Sequence, residues 1–155
     1  MLDGNRWPMV ADEERRHGKR DMVSIDLLVQ HAERVRQYAW APYSGFKVGA
    51  AVEADGDRIF AGCNVENATY GLTVCAERVA IWKALSEGAS QFLRIAIVVD
   101  TEELTPPCGA CRQVIWEFCG DIEVVLSNLR GKRVSYRMGD LLPHPFDRRF
   151  LNEHK

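Results

Sequence analysis

The sequence lacks the features of membrane, secreted and nucleic-acid-binding proteins. No apolar run approaches the roughly 18 residues that a membrane-spanning helix needs, and the first residues contain no apolar segment typical of a signal peptide. The 20 Lys and Arg residues are balanced by 22 Asp and Glu residues, and the net charge of −2 gives no basic footprint for nucleic acid. We therefore expect a cytoplasmic protein with no membrane and no nucleic-acid partner.

The cysteine count is odd. The chain contains five cysteines, Cys63, Cys75, Cys108, Cys111 and Cys119. An odd number of cysteines in a chain without secretory features favours metal ligation over a disulfide framework.

Two regions differ in composition. Residues 1–22 are polar, their acids and bases balance, and they predict a flexible N-terminal leader. Residues 23–155 are enough for one domain with a core, and the hydrophobic fraction of 46% is ordinary for a globular protein.

Apolar periodicity and turn residues predict alternating helices and strands. The predicted elements are a helix from Ser24 that ends before Pro42, strands at 47–52 and 58–62 joined by a turn, a helix from Cys75 to about Glu87, a strand at 93–99, a helix from Pro107 to about Gly120, and strands at 123–126 and 134–138. In the third helix, Val114, Ile115 and Phe118 are expected to face the core.

The last two strands are separated only by residues 127–133. A parallel pairing needs a crossover of roughly a dozen residues or more, so this pair is expected to be antiparallel. The element order predicts an α/β fold, a three-layer α/β/α sandwich around a five-stranded mixed sheet.

The candidate chemistry is concentrated in two motifs, Cys75-Ala76-Glu77-Arg78 and Pro107-Cys108-Gly109-Ala110-Cys111-Arg112. Thiolates are preferred zinc ligands, and Cys-x-x-Cys is a common ligand spacing. If a helix begins at Pro107, both of its cysteines lie on one face near the N-terminus, where the helix dipole favours negative charge. Cys75 and Glu77 do not share a helix face, so Cys75 is expected to precede the regular helix.

Three cysteine ligands leave one tetrahedral position of the zinc ion for water, as in catalytic zinc sites. Glu77 is then expected to move protons rather than to bind metal. Three thiolates and a zinc ion carry a net charge of about −1, and Arg78 foremost, then Arg112, is expected to offset it by hydrogen-bonding the sulfurs. The rival interpretation is a structural zinc knuckle, with Cys63, Cys119 or a histidine as fourth ligand, and Arg112 also fits a surface cation.

These motifs resemble the cytidine deaminases, specifically the small homotetrameric class. Three further segments share the resemblance and stand in the family's order: residues 41–50 (APYSGFKVGA), residues 62–68 (GCNVENA), and Leu141-Leu142-Pro143 before Phe146. The resemblance covers about residues 24–146.

The resemblance implies a zinc-dependent enzyme of pyrimidine salvage, with one zinc ion per subunit. It would hydrolyse cytidine and 2′-deoxycytidine to uridine and 2′-deoxyuridine with release of ammonia. Glu77 would take a proton from the metal-activated water and pass protons to ring N3 and to the departing amine.

The resemblance also assigns substrate contacts. Asn64 and Glu66 correspond to a ribose-binding pair, Phe46 to an aromatic that stacks on the pyrimidine, and the Ala76 N–H to a donor for the pyrimidine carbonyl. Phe146 corresponds to an aromatic that reaches into the site of a neighbouring subunit.

Tyr70 is a second candidate for that subunit interface. On composition alone, Phe46 and Phe146 fit core residues and Asn64 fits a turn former. Two other functions stay open: deamination of a modified cytosine nucleoside such as an antibiotic, and a non-catalytic, zinc-stabilised binding module.

Overall fold

Residues 23–152 are described here in a computed structural model of the chain. The predicted leader, residues 1–22, lies outside the described residues. The elements are α1 (Ile25–Arg36), β1 (Val48–Ala54), β2 (Arg58–Cys63), α2 (Ala76–Ser86), β3 (Phe92–Val99), α3 (Gly109–Cys119), β4 (Glu123–Ser127), β5 (Arg133–Arg137), α4 (Met138–Leu141) and α5 (Arg149–Asn152). Between residues 23 and 152, no helix has both the length and the apolar character that a bilayer crossing requires.

The five strands form one mixed sheet in the order β2-β1-β3-β4-β5. β1 pairs antiparallel with β2 and β3, β3 pairs parallel with β4, and β4 pairs antiparallel with β5. The expected mixed sheet and the antiparallel last pair are therefore confirmed. Helix α3 lies in the connection between the two parallel strands, which is where a parallel pair needs a crossover.

Alternate residues of the central strands point to opposite faces of the sheet. One face packs on α1 through a cluster that contains Ala51, Ala96, Val98 and Val125 with Leu28, Val29 and Ala32. The other face packs on α2 and α3 through a larger cluster that contains Ala50, Val52, Ile95, Ile97, Val124 and Leu126 with Ala80, Ile81 and Ile115. The fold is thus the expected three-layer α/β/α sandwich.

Two glycines let helices approach the sheet closely. A Cβ on Gly49 would lie 1.9 Å from the Ala32 carbonyl oxygen of α1, and a Cβ on Gly62 would lie 2.5 Å from the Ala80 backbone nitrogen of α2. Both distances are far below contact, so α1 and α2 sit against strand backbone at these points.

The prediction for α1 is confirmed: Ser24 Oγ accepts from the Leu27 N–H at 3.1 Å, and the helix ends at Arg36, before Pro42. Beyond the helix, the Trp40 N–H donates to the Asn64 carbonyl at 3.0 Å. One expectation about the helices is wrong. Phe118, expected in the core, is 37% exposed.

The core-facing stripe of α3 explains the position of Phe118. This stripe runs through Cys111, Ile115 and Cys119, which are four residues apart and contact or enter the core. Phe118 lies beside the stripe and not on it.

A buried ion pair lies at the end of the sheet away from the cysteine motifs. Glu53 of β1 and Arg94 of β3 are cross-strand neighbours, 0% and 5% exposed, and the Arg94 Nε lies 2.5 Å from the Glu53 Oε2. The Val23 N–H donates to Glu53 Oε1 at 3.1 Å, and the Val23 carbonyl accepts from Arg94 Nη2. The backbone just before α1 therefore closes the pair off from solvent.

Candidate metal and active site

Two helix starts bring three sulfurs together. The Sγ atoms of Cys75, Cys108 and Cys111 lie within 4.8 Å of one another, and the Cys75–Cys108 distance is 4.0 Å. Cys111 is buried and Cys108 is exposed, so the cluster is open to solvent on one side.

Both motifs place a cysteine immediately before its helix. Cys75 (φ −73°, ψ 154°) is the N-cap of α2, and Cys108 (φ −65°, ψ 165°) is the N-cap of α3. The expectation that Cys75 precedes the regular helix is confirmed. The predicted helix start at Pro107 is wrong, because Cys108 is still extended and α3 begins at Gly109. The N-cap side chain lies over the first turn, so Cys108 still meets Cys111.

The close approach of the sulfurs changes the acidity of their thiols. Contact with Cys111 lowers the pKa of Cys75 to about 5, and the Arg78 guanidinium favours the same thiolate. Contact with that thiolate, together with burial, raises the pKa of the Cys111 thiol. A divalent cation bound to the sulfurs would stabilise all three as thiolates and displace the remaining protons.

The donor set fits zinc. All three donors are sulfurs, the ligand type that zinc prefers. Among residues 23–152, no further Cys, His, Asp or Glu has a ligand atom within 4.8 Å of all three sulfurs. Neither Cys63 nor Cys119 belongs to it, so the structure gives no support to a four-ligand knuckle completed by either of these two.

Glu77 lies beside the sulfurs in the first turn of α2 and is 4% exposed. Burial raises the pKa of its carboxyl group, an effect partly offset by hydrogen bonds to its own backbone N–H and to Cys111. A buried carboxyl group with a raised pKa next to a metal site is suited to exchanging protons.

Arg78 contacts the metal site directly. Its Nη2 donates to Cys75 Sγ and to the Thr73 carbonyl oxygen, both at 3.3 Å. The guanidinium carbon also lies 5.9 Å from the centre of the Trp82 ring. The geometry therefore agrees with a positive charge held against one of the three thiolates.

Arg112 has different partners from those expected. Its Nε donates to the Pro107 carbonyl and its Nη1 to the Leu141 carbonyl, both at 2.9 Å. The expected hydrogen bonds to the thiolates are thus replaced by bonds to two backbone segments. Arg112 ties the loop before α3 to α4.

The ribose-binding candidate Glu66 is held by the loop that follows α1. Its carboxylate accepts hydrogen bonds from the Tyr43 N–H at 2.8 Å, the Ser44 N–H at 3.3 Å and the Ser44 hydroxyl. These bonds, the Ser44 hydroxyl first, lower the pKa of Glu66. Glu66 is therefore an ionised, pre-oriented hydrogen-bond acceptor.

Asn64 is 8% exposed, and its side chain orders the start of β1. Its Nδ2 donates to the Phe46 carbonyl and its Oδ1 accepts from the Val48 N–H, both at 2.8 Å. An amide NH₂ has two hydrogens, so one donor remains after these bonds.

A cavity of about 350 Å³ adjoins Glu66. Tyr43, Ser44, Tyr70 and Thr73 complete its lining, and the Tyr43 and Tyr70 rings meet edge to face at 6.1 Å. Thr73 connects this cavity to the metal site, because its carbonyl oxygen accepts from Arg78. Sequence reasoning gave no role to Tyr43, Ser44 or Thr73, although Ser44 stands before Gly45 (φ +68°), a typical turn signal.

The aromatic candidates lie outside the core. Phe46 is 42% exposed, Phe146 59% and Tyr70 76%. The Phe146 ring stacks on Phe150 at 5.8 Å, and its carbonyl accepts from the Gln113 side chain of α3 at 2.6 Å. The core interpretation of Phe46 and Phe146 is therefore wrong for this chain.

The sequence is similar to known proteins over most of its length. The family described as the cytidine and deoxycytidylate deaminase zinc-binding region matches residues 22–127. A cytidine deaminase of Sporosarcina psychrophila is 44% identical over 131 residues, which are 84% of this chain and 96% of the relative. One from Halalkalibacterium halodurans is 45% identical over 128 residues, 82% of this chain and 97% of the relative.

A solved structure agrees with these sequence matches. The crystal structure of cytidine deaminase from Burkholderia pseudomallei has a TM-score of 0.78 and 46% identity, and the match covers 80% of this chain and 100% of that one. Fold, sulfur cluster and sequence matches lead to one conclusion: the chain belongs to the zinc-binding cytidine and deoxycytidylate deaminase family.

Proposed function

We propose that the protein hydrolyses cytidine and 2′-deoxycytidine to uridine and 2′-deoxyuridine, with release of ammonia, in pyrimidine salvage. The observation that carries this proposal is the group of three sulfurs within 4.8 Å of one another, with the buried carboxyl group of Glu77 beside it. The names of the similar proteins, matched over nearly their full lengths, support the same substrate.

In this mechanism, Cys75, Cys108 and Cys111 would hold one zinc ion per subunit. When bound, zinc supplies Lewis-acid activation of the attacking water. Glu77 would take one proton from the attacking water and deliver it to ring N3; it would then take the second proton from the hydroxyl group now on C4 and deliver it to the departing amine, so the C4–N bond breaks and the products are a carbonyl and ammonia. Ala76 is the first residue of α2, and its N–H has no acceptor within the helix. That N–H donates to the pyrimidine carbonyl.

The cavity beside Glu66 receives the ribose. The Glu66 carboxylate accepts a hydrogen bond from a sugar hydroxyl, and the remaining Asn64 N–H donates to the sugar. The half-exposed Phe46 ring stacks on the pyrimidine. This assignment is supported by the contacts of Glu66, which fix both carboxylate oxygens before substrate arrives.

Replacing Glu66 with Gln is expected to raise KM for cytidine by about 10- to 100-fold, because a hydrogen bond to a charged acceptor is lost. The effect on kcat should be smaller. Steady-state kinetics with cytidine and with 2′,3′-dideoxycytidine checks this, since the second substrate lacks both hydroxyls and should show a smaller loss. The control is Glu102→Gln, a charge removal in an exposed loop. An unchanged KM for cytidine would remove Glu66 from the sugar site.

The function itself is tested by following the ultraviolet change from cytidine to uridine with and without a chelator. We expect zinc removal to abolish turnover and added zinc to restore it. Absence of turnover by the zinc-loaded protein contradicts the proposal and favours the non-catalytic zinc module. Faster turnover of a modified cytosine nucleoside than of cytidine favours the antibiotic-type alternative.

We further propose that the active form is a cytoplasmic homotetramer. The support is the exposure of Tyr70 and Phe146, which as large aromatics are expected to be covered by another surface. Phe146 would then enter a neighbour's site, and Tyr70 would lie at the same interface. Thiolate ligands also suit a reducing compartment. Sedimentation velocity measures the assembly directly.

A further inference from the structure

Trp82 stands over the guanidinium that contacts the metal site. Arg78 and Trp82 are one turn apart on α2, and the guanidinium carbon lies 5.9 Å from the ring centre. Trp82 is 44% exposed and is not a member of either hydrophobic cluster of the described residues. Its contact with Arg78 is therefore not a by-product of core packing.

Hydrogen bonds alone hold Arg78 weakly. A single nitrogen, Nη2, contacts both Cys75 Sγ and the Thr73 carbonyl, each at 3.3 Å. The Arg78 Nε is buried and has no hydrogen-bond partner among residues 23–152. A guanidinium with a buried, unpaired donor is held in place at a cost, and the face of an aromatic ring is an attractive surface for it.

The position of this charge matters because three thiolates give the zinc site an excess negative charge. A guanidinium against Cys75 withdraws electron density from that sulfur, whereas a guanidinium that has swung into solvent does not. Any group that restricts Arg78 therefore sets how strongly Cys75 donates to the metal.

We infer that Trp82 is a positioning residue, whose indole face holds Arg78 against the Cys75 sulfur and so adjusts the charge at the metal site. This inference rests on the proposed function, since the charge has its effect in the zinc-dependent reaction. It also goes beyond that function, because Trp82 itself touches neither substrate nor metal ligand in this assignment.

The test uses Trp82→Leu and Trp82→Phe, each alone and combined with Arg78→Ala. The full-length proteins are loaded with Co²⁺, and the sulfur-to-cobalt charge-transfer absorption is recorded beside kcat and KM for cytidine with zinc. Trp82→Leu is expected to move the absorption band in the same direction as Arg78→Ala, but less. It should lower kcat by about 2- to 5-fold with little change in KM.

Three comparisons make the test specific. Trp82→Phe keeps a ring face, so its cobalt band position and kcat are expected to stay close to those of the parent protein. In the Arg78→Ala background, Trp82→Leu is expected to change neither quantity further. Tyr136 of β5 is 40% exposed, close to the 44% of Trp82, so Tyr136→Leu is a matched control. It should leave the cobalt absorption band unmoved.

The inference is overturned if Trp82→Leu leaves the cobalt band in place. It is equally overturned if Trp82→Leu lowers kcat as much without Arg78 as with it, because the indole then acts by another route, such as a subunit contact. A shifted band in a protein that never turns over cytidine supports the positioning role and contradicts the proposed function.

Discussion

Replacing Glu77 with Gln is expected to lower kcat for cytidine by about 10³- to 10⁴-fold while the protein keeps its zinc. Gln has nearly the same shape, so α2 and the sulfur cluster should persist. Its amide neither accepts the proton of water nor donates one to ring N3. Because Glu77 is assigned to proton transfer and not to sugar binding, KM should change little.

Zinc content and turnover have to be measured on the same samples. Glu87→Gln is the matched control, since Glu87 lies at the other end of α2 and is exposed. Loss of zinc in the Glu77 variant would identify this carboxylate as a ligand. Retained activity would assign the proton transfer to a different group.

Replacing Arg94 with Leu is expected to reduce the free energy of unfolding by about 3–5 kcal/mol, because Glu53 is left in the interior without its charge partner. Glu53 is 0% exposed, and within residues 23–152 its carboxylate accepts one further hydrogen bond, from the Val23 N–H. Urea unfolding at fixed protein and zinc concentrations measures the change.

The combined variant Glu53→Leu with Arg94→Met separates the cost of an unpaired charge from the value of the pair. We expect it to recover much of the lost stability, because apolar side chains of similar volume often replace a buried ion pair without loss. Recovery should be incomplete, since the Val23 N–H and carbonyl lose their partners. An Arg94→Leu protein as stable as the parent would contradict the interpretation.

Much of the sheet follows from local sequence features. The run Ile95-Ala96-Ile97-Val98-Val99 predicts a strand covered on both faces, and both faces are covered. The short connection between β4 and β5 excludes a parallel pair, so their direction is decided without knowledge of the rest of the fold.

The metal site was also predictable, because its ligands stand in two short motifs at helix starts. Only the exact start of α3 differed from the prediction. At the N-cap, Cys108 still lies beside Cys111, as it would in the first turn of the helix. Roles that depend on distant segments were not predictable. Arg112 is an example, since its partner Leu141 belongs to a helix 29 residues further along the chain.

The ion pair between Glu53 and Arg94 was missed for a related reason. A charged residue in a strand is ordinarily assigned to the solvent face, and only the register of β1 with β3 shows that these two charges meet. The contact of Arg78 with Trp82 was readable from their spacing of four residues, but spacing alone does not say which side chains of a helix actually touch.

Gly62 shows how a position that carries no side chain can govern reactivity. Helix α2 rests on β2 where an added methyl group would strike the Ala80 backbone at 2.5 Å. The same helix carries Cys75 at its N-cap and Glu77 in its first turn, so a side chain at Gly62 would displace both residues relative to the cysteines of α3. A substitution at Gly62 is therefore expected to lower activity although the cysteines and Glu77 are all unchanged.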